Sequence, residues 1–100
     1  MDEIVGMREY TSNSNVHVVS IIMPAYNSAR TIASSIDSVI NQTFKDWELI
    51  IIDDYSLDDT IQIVSSYLNL DERIKLIALP SNQGLSNARN TGIKISRSKY

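Results

Sequence analysis

The sequence predicts an α/β fold in which a parallel β-sheet carries helices on both of its faces. Three short, nearly continuous apolar runs are typical of strands buried on both sides, and they cover residues 17–23, 49–52 and 74–79. Stretches in which apolar residues recur with helical spacing follow each of these runs. The repeated strand–helix order favours right-handed crossovers and therefore a parallel sheet.

Each predicted helix has an apolar stripe on one face. The three stripes are Ile32, Ile36, Val39 and Ile40; Ile61, Val64, Tyr67 and Leu68; and Leu85, Ala88, Gly92 and Ile95. Asn27 or Ser28 is a candidate N-cap for the first helix, and Ser56 or Asp58 is one for the second. The third stripe contains two small residues, which predict that this helix packs closely on the sheet.

The composition is that of one small globular domain. Hydrophobic residues make up 43% and charged residues 21% of the 100 residues. Residues 1–15 are polar and without a sustained period, and we expect a flexible lead-in there. We expect residues 16–100 to form the single folded unit, because no internal linker interrupts them.

Composition also excludes several classes of site. The net charge is −3, from 9 basic and 12 acidic residues. The chain has no basic patch with interleaved aromatic residues, so nothing in it predicts nucleic-acid binding. The sequence has no cysteine, so disulfides and thiolate metal sites are excluded, and His17 is the only histidine. No apolar run reaches the roughly 18 residues of a membrane span. The N-terminus lacks a signal-peptide layout, so we expect a cytoplasmic protein.

Two predicted strands end in residues that are suited to binding a ligand. Tyr26 follows the first strand, and Asp53 and Asp54 follow the second. Ligands bind at the carboxyl ends of the strands in open parallel sheets, so Tyr26 and Asp54 are expected to face one ligand. A tyrosine ring offers a stacking surface for a nucleobase, and a carboxylate accepts hydrogen bonds from the N–H of uracil or guanine. The simpler interpretation, that Tyr26 is a partly buried loop residue and the aspartates cap the next helix, fits the spacing equally well.

A third polar segment, 82–90, is a glycine-containing turn that opens the third helix. Free N–H groups at a helix start bind phosphate, and Arg89 is within reach of a pyrophosphate there. The same arginine is equally consistent with a solvated helix residue. The chain contains neither G-x-G-x-x-G nor G-x-x-x-x-G-K-[ST], which argues against a dinucleotide-binding fold and excludes a P-loop.

Taken together, these segments resemble the family 2 glycosyltransferases, which are inverting enzymes of the GT-A fold with a Rossmann-like nucleotide-binding portion. The matching segments are, in order, VSIIMPAYN (19–27), SVINQTF (38–44), WELIIIDD (47–54) with Ser56 and Asp58, and NQG (82–84) followed by Ala88, Arg89, Asn90 and Gly92. Four motifs in the right order at the right spacing make this resemblance specific. It runs from about residue 18 to the C-terminus.

The resemblance implies a role for each matching residue. Tyr26 would pack on the nucleobase, and Asp54 would accept a hydrogen bond from it. Pro24, Ala25 and Asp53 line the same pocket in similar proteins, and Arg89 lies where the family often places a basic residue near the nucleotide. The family usually has glycine after the aspartate pair, where this chain has Tyr55. Because glycine permits a positive φ that tyrosine resists, we expect this turn to be either rebuilt or strained.

The resemblance also implies what the whole enzyme would do. It would bind a UDP-sugar and transfer a hexose-type sugar to a polysaccharide or glycolipid acceptor, with Mn²⁺ or Mg²⁺ held by an Asp-x-Asp motif. The sequence ends at Tyr100, ahead of the place where that motif is expected, and it offers no candidate for the metal site or the general base. We therefore expect the 100 residues alone to bind nucleotide weakly, to ligate no metal and to be inactive. We expect the full-length enzyme to act in the cytoplasm without a membrane span, either free or as a peripheral protein on the cytoplasmic face of a membrane.

Two other interpretations stay open on the sequence alone. The chain is also compatible with a non-catalytic nucleotide-binding or regulatory α/β module, such as a receiver-like domain. Receivers, however, keep their acidic cluster near the first strand, whereas the aspartate pair here follows the second. A purely structural interpretation, in which copies associate through an uncovered sheet edge, is the third.

Overall fold

The computed structural model describes residues 6–11 and 17–95 of the chain. Four strands and three helices follow one another along the described residues. They are β1 (Gly6–Thr11), β2 (His17–Ala25), α1 (Ile32–Ile40), β3 (Trp47–Asp53), α2 (Thr60–Leu68), β4 (Ile74–Ala78) and α3 (Leu85–Ile95). The predicted alternation of strand and helix is confirmed from β2 to α3. None of the helices in these ranges has the length and apolar character needed to cross a membrane.

The strands form one sheet in the order β1-β2-β3-β4. β2, β3 and β4 are parallel, as predicted, but β1 pairs with β2 in the antiparallel direction. The expectation of a flexible segment over 1–15 is therefore wrong for residues 6–11, and the rest of that segment lies outside the described residues. The physical reason is that the outer edge of β2 has backbone N–H and C=O groups that need partners, and β1 supplies them. The sheet is consequently mixed, with an antiparallel edge strand on a parallel core.

Pro24 lies near the end of β2 without weakening its pairing to β3. The N–H of Val19 donates to the Asp46 carbonyl at 2.9 Å, and the Ala25 carbonyl accepts from the N–H of Asp54 at 2.8 Å. Because backbone groups alternate in direction along a strand, the nitrogen of Pro24 faces the β1 side, so its missing N–H costs no bond to β3. The β2–β3 ladder thus stays intact up to the residues that follow both strands.

Two hydrophobic clusters cover the two faces of the sheet, which confirms the predicted three layers. All seven residues of the central strand β3 are buried. Trp47, Leu49 and Ile51 join the cluster beneath α1 and α2, and Ile50 and Ile52 join the cluster beneath α3. Strand side chains alternate between faces, so a central parallel strand must be apolar at almost every position. In α2, Ile63 packs on the core, whereas the predicted stripe had Ile61.

Helix α3 approaches the sheet closely because Gly92 has no side chain. A Cβ at Gly92 would lie 2.5 Å from Cγ2 of Ile22 and 3.4 Å from Cγ1 of Ile52. Ala88, one turn earlier, is also fully buried. The predicted close packing of α3 is confirmed, although the outer members of its stripe, Leu85 and Ile95, are 44% and 45% exposed.

The start of α1 differs from the predicted cap. Its N-cap is Thr31, whose side chain makes no capping hydrogen bond, and the Ser28 carbonyl instead accepts from the N–H of Thr31 and Ile32. The N-cap of α2 is Asp59 by position, but Asp58 accepts the bond from the N–H of Thr60, the first helical residue. The prediction of Asn27 or Ser28 as N-caps was therefore wrong, because both residues instead form hydrogen bonds with the segment that follows β3.

One buried carboxylate, Glu48, has a structural partner far from the loops that follow the strands. Glu48 is 2% exposed. Its carboxylate accepts a hydrogen bond from the Ser20 hydroxyl on β2 and forms an ion pair with Nζ of Lys75 on β4, at 2.8 Å. Ser20 is the register partner of Glu48, and Lys75, which pairs with Ile50, reaches Glu48 diagonally from β4. Because a buried charge needs such partners, this cluster is accounted for by the sheet itself.

Candidate functional site

Parallel pairing of β2 and β3 brings the two predicted ligand-binding segments together. The register pairs Ala25 with Asp53, the last residues of the two strands. The next residues, Tyr26 and Asp54, therefore leave the sheet beside each other, and the N–H of Asp54 donates to Ala25 at 2.8 Å. The expected meeting of the two segments at the carboxyl edge is confirmed, and residues from both of them can contact one ligand.

The two adjacent aspartates point to opposite sides of the sheet, and each is held by a different loop. Asp53 is completely buried, and it accepts bonds from the backbone N–H and the hydroxyl of Ser56 at 2.8 and 2.6 Å. Asp54 is 2% exposed, and its two oxygens accept from the N–H of Gln83 at 2.7 Å and of Gly84 at 2.9 Å. Alternation along the strand separates the two charges, and N–H donors stabilise both.

The contacts of Asp54 assign it a structural task in addition to the predicted one. It anchors the turn between β4 and α3, and the Asn82 side chain adds a bond to its backbone carbonyl at 3.2 Å. An ionised carboxylate has about four acceptor positions, of which the turn uses two. Asp54 therefore retains the capacity to accept a further hydrogen bond at the edge of this turn.

Tyr26 is half-buried in the first loop, and its neighbours fix its backbone. The Ser28 hydroxyl donates to the Tyr26 carbonyl at 3.2 Å and lies 3.3 Å from the Tyr26 nitrogen. The partly exposed ring is compatible with stacking on a flat ligand. This position agrees with both interpretations of Tyr26 that the sequence left open.

The loops after β2 and β3 are joined to each other by reciprocal hydrogen bonds. The N–H of Asn27 donates to the Ser56 hydroxyl, and the Asn27 amide oxygen accepts from the N–H of Leu57, both at 2.8 Å. A second connection runs from the N–H of Ser28 to the Thr60 hydroxyl at 2.8 Å. These contacts hold the two loops as one unit beneath Tyr26 and Asp54. Asn27, Ser28 and Ser56 were predicted only as helix caps, because a bond between segments about thirty residues apart leaves no local pattern.

Two residues other than glycine adopt positive φ in these loops. Asn27 has φ 48° and Tyr55 has φ 67°. Asparagine tolerates the left-handed region, but a residue with a Cβ atom pays roughly 1–2 kcal/mol there, and a bulky side chain makes it an outlier. The turn thus keeps the conformation that glycine would favour and is strained rather than rebuilt. The bonds made by Asp54 and Ser56 on either side hold Tyr55 in it.

Asp58 accepts hydrogen bonds from both loops. Burial raises the pKa of Asp58, but bonds from the Thr60 hydroxyl and from the N–H groups of Ala29 and Thr60 lower it, and the net direction is downward. A lowered pKa in the folded state stabilises the fold above the unfolded value of about 3.9. That contribution is lost as the pH falls through the folded pKa.

Replacing Thr60 with valine tests this connection at nearly constant side-chain volume. The pKa of Asp58 should rise towards its ordinary value, because the hydroxyl donor is gone. The free energy of unfolding at pH 7 should fall by about 1–3 kcal/mol, because the buried N–H of Ser28 also loses its acceptor. The stability lost between pH 5 and pH 2 should be smaller than in the unmodified chain. NMR titration of the Asp58 carboxyl and urea unfolding as a function of pH measure both effects. Thr43→Val, at an exposed loop position, is the matched control, and an unchanged Asp58 pKa would contradict the assignment.

Of the other predicted site residues, Pro24 and Ala25 are less exposed than Tyr26, and Arg89 lies on a different element, α3. Pro24 and Ala25 are buried in the end of β2, and the Ala25 side chain belongs to the core beneath α1 and α2. Arg89 is exposed on α3 and makes no ion pair with any carboxylate in the described ranges. Ala25 can therefore contact a ligand through its backbone, and the Arg89 guanidinium is free of an ionic partner there.

The described residues do not fit a metal ion. Within 6–11 and 17–95, no group of three or more histidine, aspartate or glutamate side chains is arranged to hold one.

An open groove of about 410 Å³ runs along α3, away from Tyr26. It is lined by Gln83, Asn87, Asn90, Thr91, Ile93 and Lys94. Among the lining residues, Gln83 donates a hydrogen bond to Asp54 through its N–H. The strand ends are the better candidate site, because residues from two loops and the α3 turn meet there.

Fold and site together define an α/β domain that presents its candidate ligand-binding residues at the carboxyl edge of the sheet. The model of the family described as "Glycosyl transferase family 2" matches residues 20–100. This chain belongs to the glycosyl transferase 2 family, and its fold is the N-terminal portion of a GT-A domain.

Curated relatives that are named as glycosyltransferases are similar over most of the chain. An uncharacterized glycosyltransferase of Haemophilus influenzae is 41% identical over 86 residues, which are 86% of this chain and 34% of that protein. An Escherichia coli protein, UDP-Glc:alpha-D-GlcNAc-diphosphoundecaprenol beta-1,3-glucosyltransferase WfgD, is 43% identical over 84% of this chain and 32% of its own length. The chain thus spans about a third of the length of these relatives.

A solved structure shows the same fold. Residues 1–349 of TarS from Staphylococcus aureus, in complex with UDP, superpose with a TM-score of 0.71 at 33% identity. The match covers 79% of this chain and 24% of that one.

Proposed function

We propose that this chain forms the nucleotide-binding part of a cytoplasmic glycosyltransferase. The whole enzyme would transfer a hexose-type sugar from a UDP-sugar to a polysaccharide or glycolipid acceptor with inversion at the anomeric carbon. The observation that carries the proposal is the Ala25–Asp53 register, because it places Tyr26 and Asp54 side by side at the carboxyl edge. An aromatic ring and a carboxylate are the two groups that a uracil base needs, one for its face and one for its N–H.

The relatives support the choice of uridine. One of them is named for its use of UDP-Glc, and a structure with the same fold was solved with UDP. A relative named as a putative teichuronic acid biosynthesis glycosyltransferase and another named as a poly(ribitol-phosphate) beta-N-acetylglucosaminyltransferase support a polymer acceptor. The divalent cation that the resemblance implies would be ligated outside the described residues, where the general base for the acceptor hydroxyl would also lie.

Asp54 would take part in this binding while it continues to hold the turn between β4 and α3. Its side chain is buried, so a uracil N–H would reach one of its oxygens only at the edge of the segment Asn82–Gly84. This exposed turn would therefore move slightly when the base enters. Slower amide exchange of Gln83 and Gly84 in the presence of UDP would report on it.

Calorimetric titration of the chain with UDP tests the proposal directly. Tyr26→Ala should weaken UDP about tenfold or more, since base–aromatic stacking contributes roughly 1–3 kcal/mol. Phe44→Ala, another partly exposed aromatic side chain in the loop before β3, should leave the affinity unchanged. Equal affinity of the unmodified chain and the Tyr26 variant would refute the pocket assignment.

A further inference from the structure

Tyr55 is a large, exposed side chain in the loops at the carboxyl edge whose aromatic character the fold does not explain. Its backbone is in the left-handed region, at φ 67°, and 49% of the residue is exposed. Within the described part of the chain, the Tyr55 side chain has no hydrogen bond or ring contact. Glycine would satisfy the same turn without strain, so the fold alone gives no reason for an aromatic residue here.

The surroundings hold Tyr55 in this strained conformation from both sides. On one side, Asp54 is bound through its N–H to Ala25 and through its carboxylate to the α3 turn. On the other side, Ser56 is bound to Asp53 through both its N–H and its hydroxyl. The ring therefore projects from a rigid turn, and little freedom would be lost when a ligand contacts it.

Tyr55 lies near Tyr26, the residue proposed to stack on the nucleobase. Tyr26 and Tyr55 follow the neighbouring strands β2 and β3, which lie about 4.8 Å apart in a sheet. Two partly exposed aromatic residues thus follow adjacent strand ends, and Tyr55 comes directly after Asp54. A flat ligand that stacks on Tyr26 would therefore bind close to the backbone of Tyr55.

We infer that Tyr55 is a second aromatic contact for the nucleobase of the bound nucleotide, beside Tyr26. This inference rests on the proposed function, and it extends it by assigning base recognition to a residue at which the family usually has glycine. The side chain supplies binding energy to the base, and the strained backbone is the cost of placing it there. Affinity and stability should consequently respond in opposite directions when the ring is removed.

The test compares Tyr55→Gly and Tyr55→Asn, which both suit the left-handed backbone, with Tyr55→Phe, which keeps the ring. We expect the Gly and Asn variants to bind UDP about tenfold more weakly while their melting temperatures stay equal to or rise a few degrees above that of the unmodified chain. Tyr55→Phe should bind UDP within about twofold of the unmodified chain, because stacking does not need the hydroxyl. Calorimetry measures the affinity, and the fluorescence of Trp47 follows thermal unfolding, because this residue is buried in the core.

A second arm separates the base from the phosphates. Uridine and UDP should lose the same factor of affinity in Tyr55→Gly, and inorganic pyrophosphate should lose none. A loss seen with pyrophosphate as well would place Tyr55 at the phosphates and overturn the inference.

Two further results would overturn it. Unchanged UDP affinity in Tyr55→Gly would make Tyr55 a strained turn residue and nothing more. A parallel fall in melting temperature and affinity in both the Gly and Asn variants would place the ring in the fold rather than on the ligand. Failure of the proposed function would look different, because then the unmodified chain would not bind UDP, or would bind it regardless of Tyr26→Ala.

Discussion

Replacing Gly92 with leucine should destabilise the chain by about 3 kcal/mol, which is a large part of the roughly 5–15 kcal/mol that a domain of this size has. Even a single Cβ there would lie 2.5 Å from Cγ2 of Ile22, a fully buried residue of β2. That methyl group is attached directly to Cβ of a β-branched side chain, so it cannot rotate away freely. The gain in helix propensity on replacing glycine, less than about 1 kcal/mol, does not offset the clash.

Urea and thermal unfolding, followed by the fluorescence of Trp47, measure this effect. A loss of 3 kcal/mol corresponds to a fall in melting temperature of about 12–24 °C. Asn90→Leu, on the exposed side of the same helix, is the matched control and should change the stability by less than about 0.5 kcal/mol. In a double-mutant cycle, Ile22→Ala should recover part of the loss in Gly92→Ala, because it removes the clashing methyl group. Equal stability of Gly92→Leu and Asn90→Leu would show that α3 does not pack as described.

Replacing Asp54 with alanine should have the largest effect on nucleotide binding. The change removes the proposed acceptor for the base and also releases the N–H groups of Gln83 and Gly84. We expect UDP affinity to fall about 100-fold, equivalent to about 2.7 kcal/mol. Because both released N–H groups belong to exposed residues and can bond to water, the stability should fall by only about 1–3 kcal/mol.

Two measurements distinguish the two tasks of Asp54. Amide exchange should accelerate at Gln83 and Gly84 when the carboxylate is removed, and calorimetry reports the affinity for UDP. Asp54→Asn, which keeps one acceptor oxygen, should give intermediate values for both. Asp46→Ala, at an exposed position before β3, is the control for the loss of one negative charge. Faster exchange with unchanged UDP affinity would mean that Asp54 serves the turn alone.

The layered fold could be predicted because its evidence is local and repeated. Apolar runs and helical stripes are read directly from the sequence, and β3 is buried at all seven positions, as a central parallel strand requires. Strand β1 was missed, because residues 6–11 show no pattern of their own and become a strand by pairing with the open edge of β2. Pairing of this kind depends on a partner elsewhere in the chain, and local periodicity does not report it.

The candidate site was predictable in its position and only partly in its contacts. Tyr26 and Asp54 could be placed together because parallel strands end at the same edge. The hydrogen bonds of Asn27 and Thr60 were not foreseen, because their partners lie in the other loop. The same limit explains why the anchoring of the α3 turn by Asp54 was not foreseen, and why α1 lacks the predicted cap.

The sequence by itself determined the family, the order of the elements and the strand ends that carry the candidate ligand-binding residues, since these follow from residue types at fixed spacings. The tertiary structure alone decided how the aspartates are used and what conformation Tyr55 adopts. Asp53 and Asp54 are neighbours in the chain but point to opposite faces and bind different loops, because strand side chains alternate. Tyr55 keeps a glycine-like backbone because the fixed residues on both sides leave it no other conformation, which places an aromatic ring where the family pattern has none.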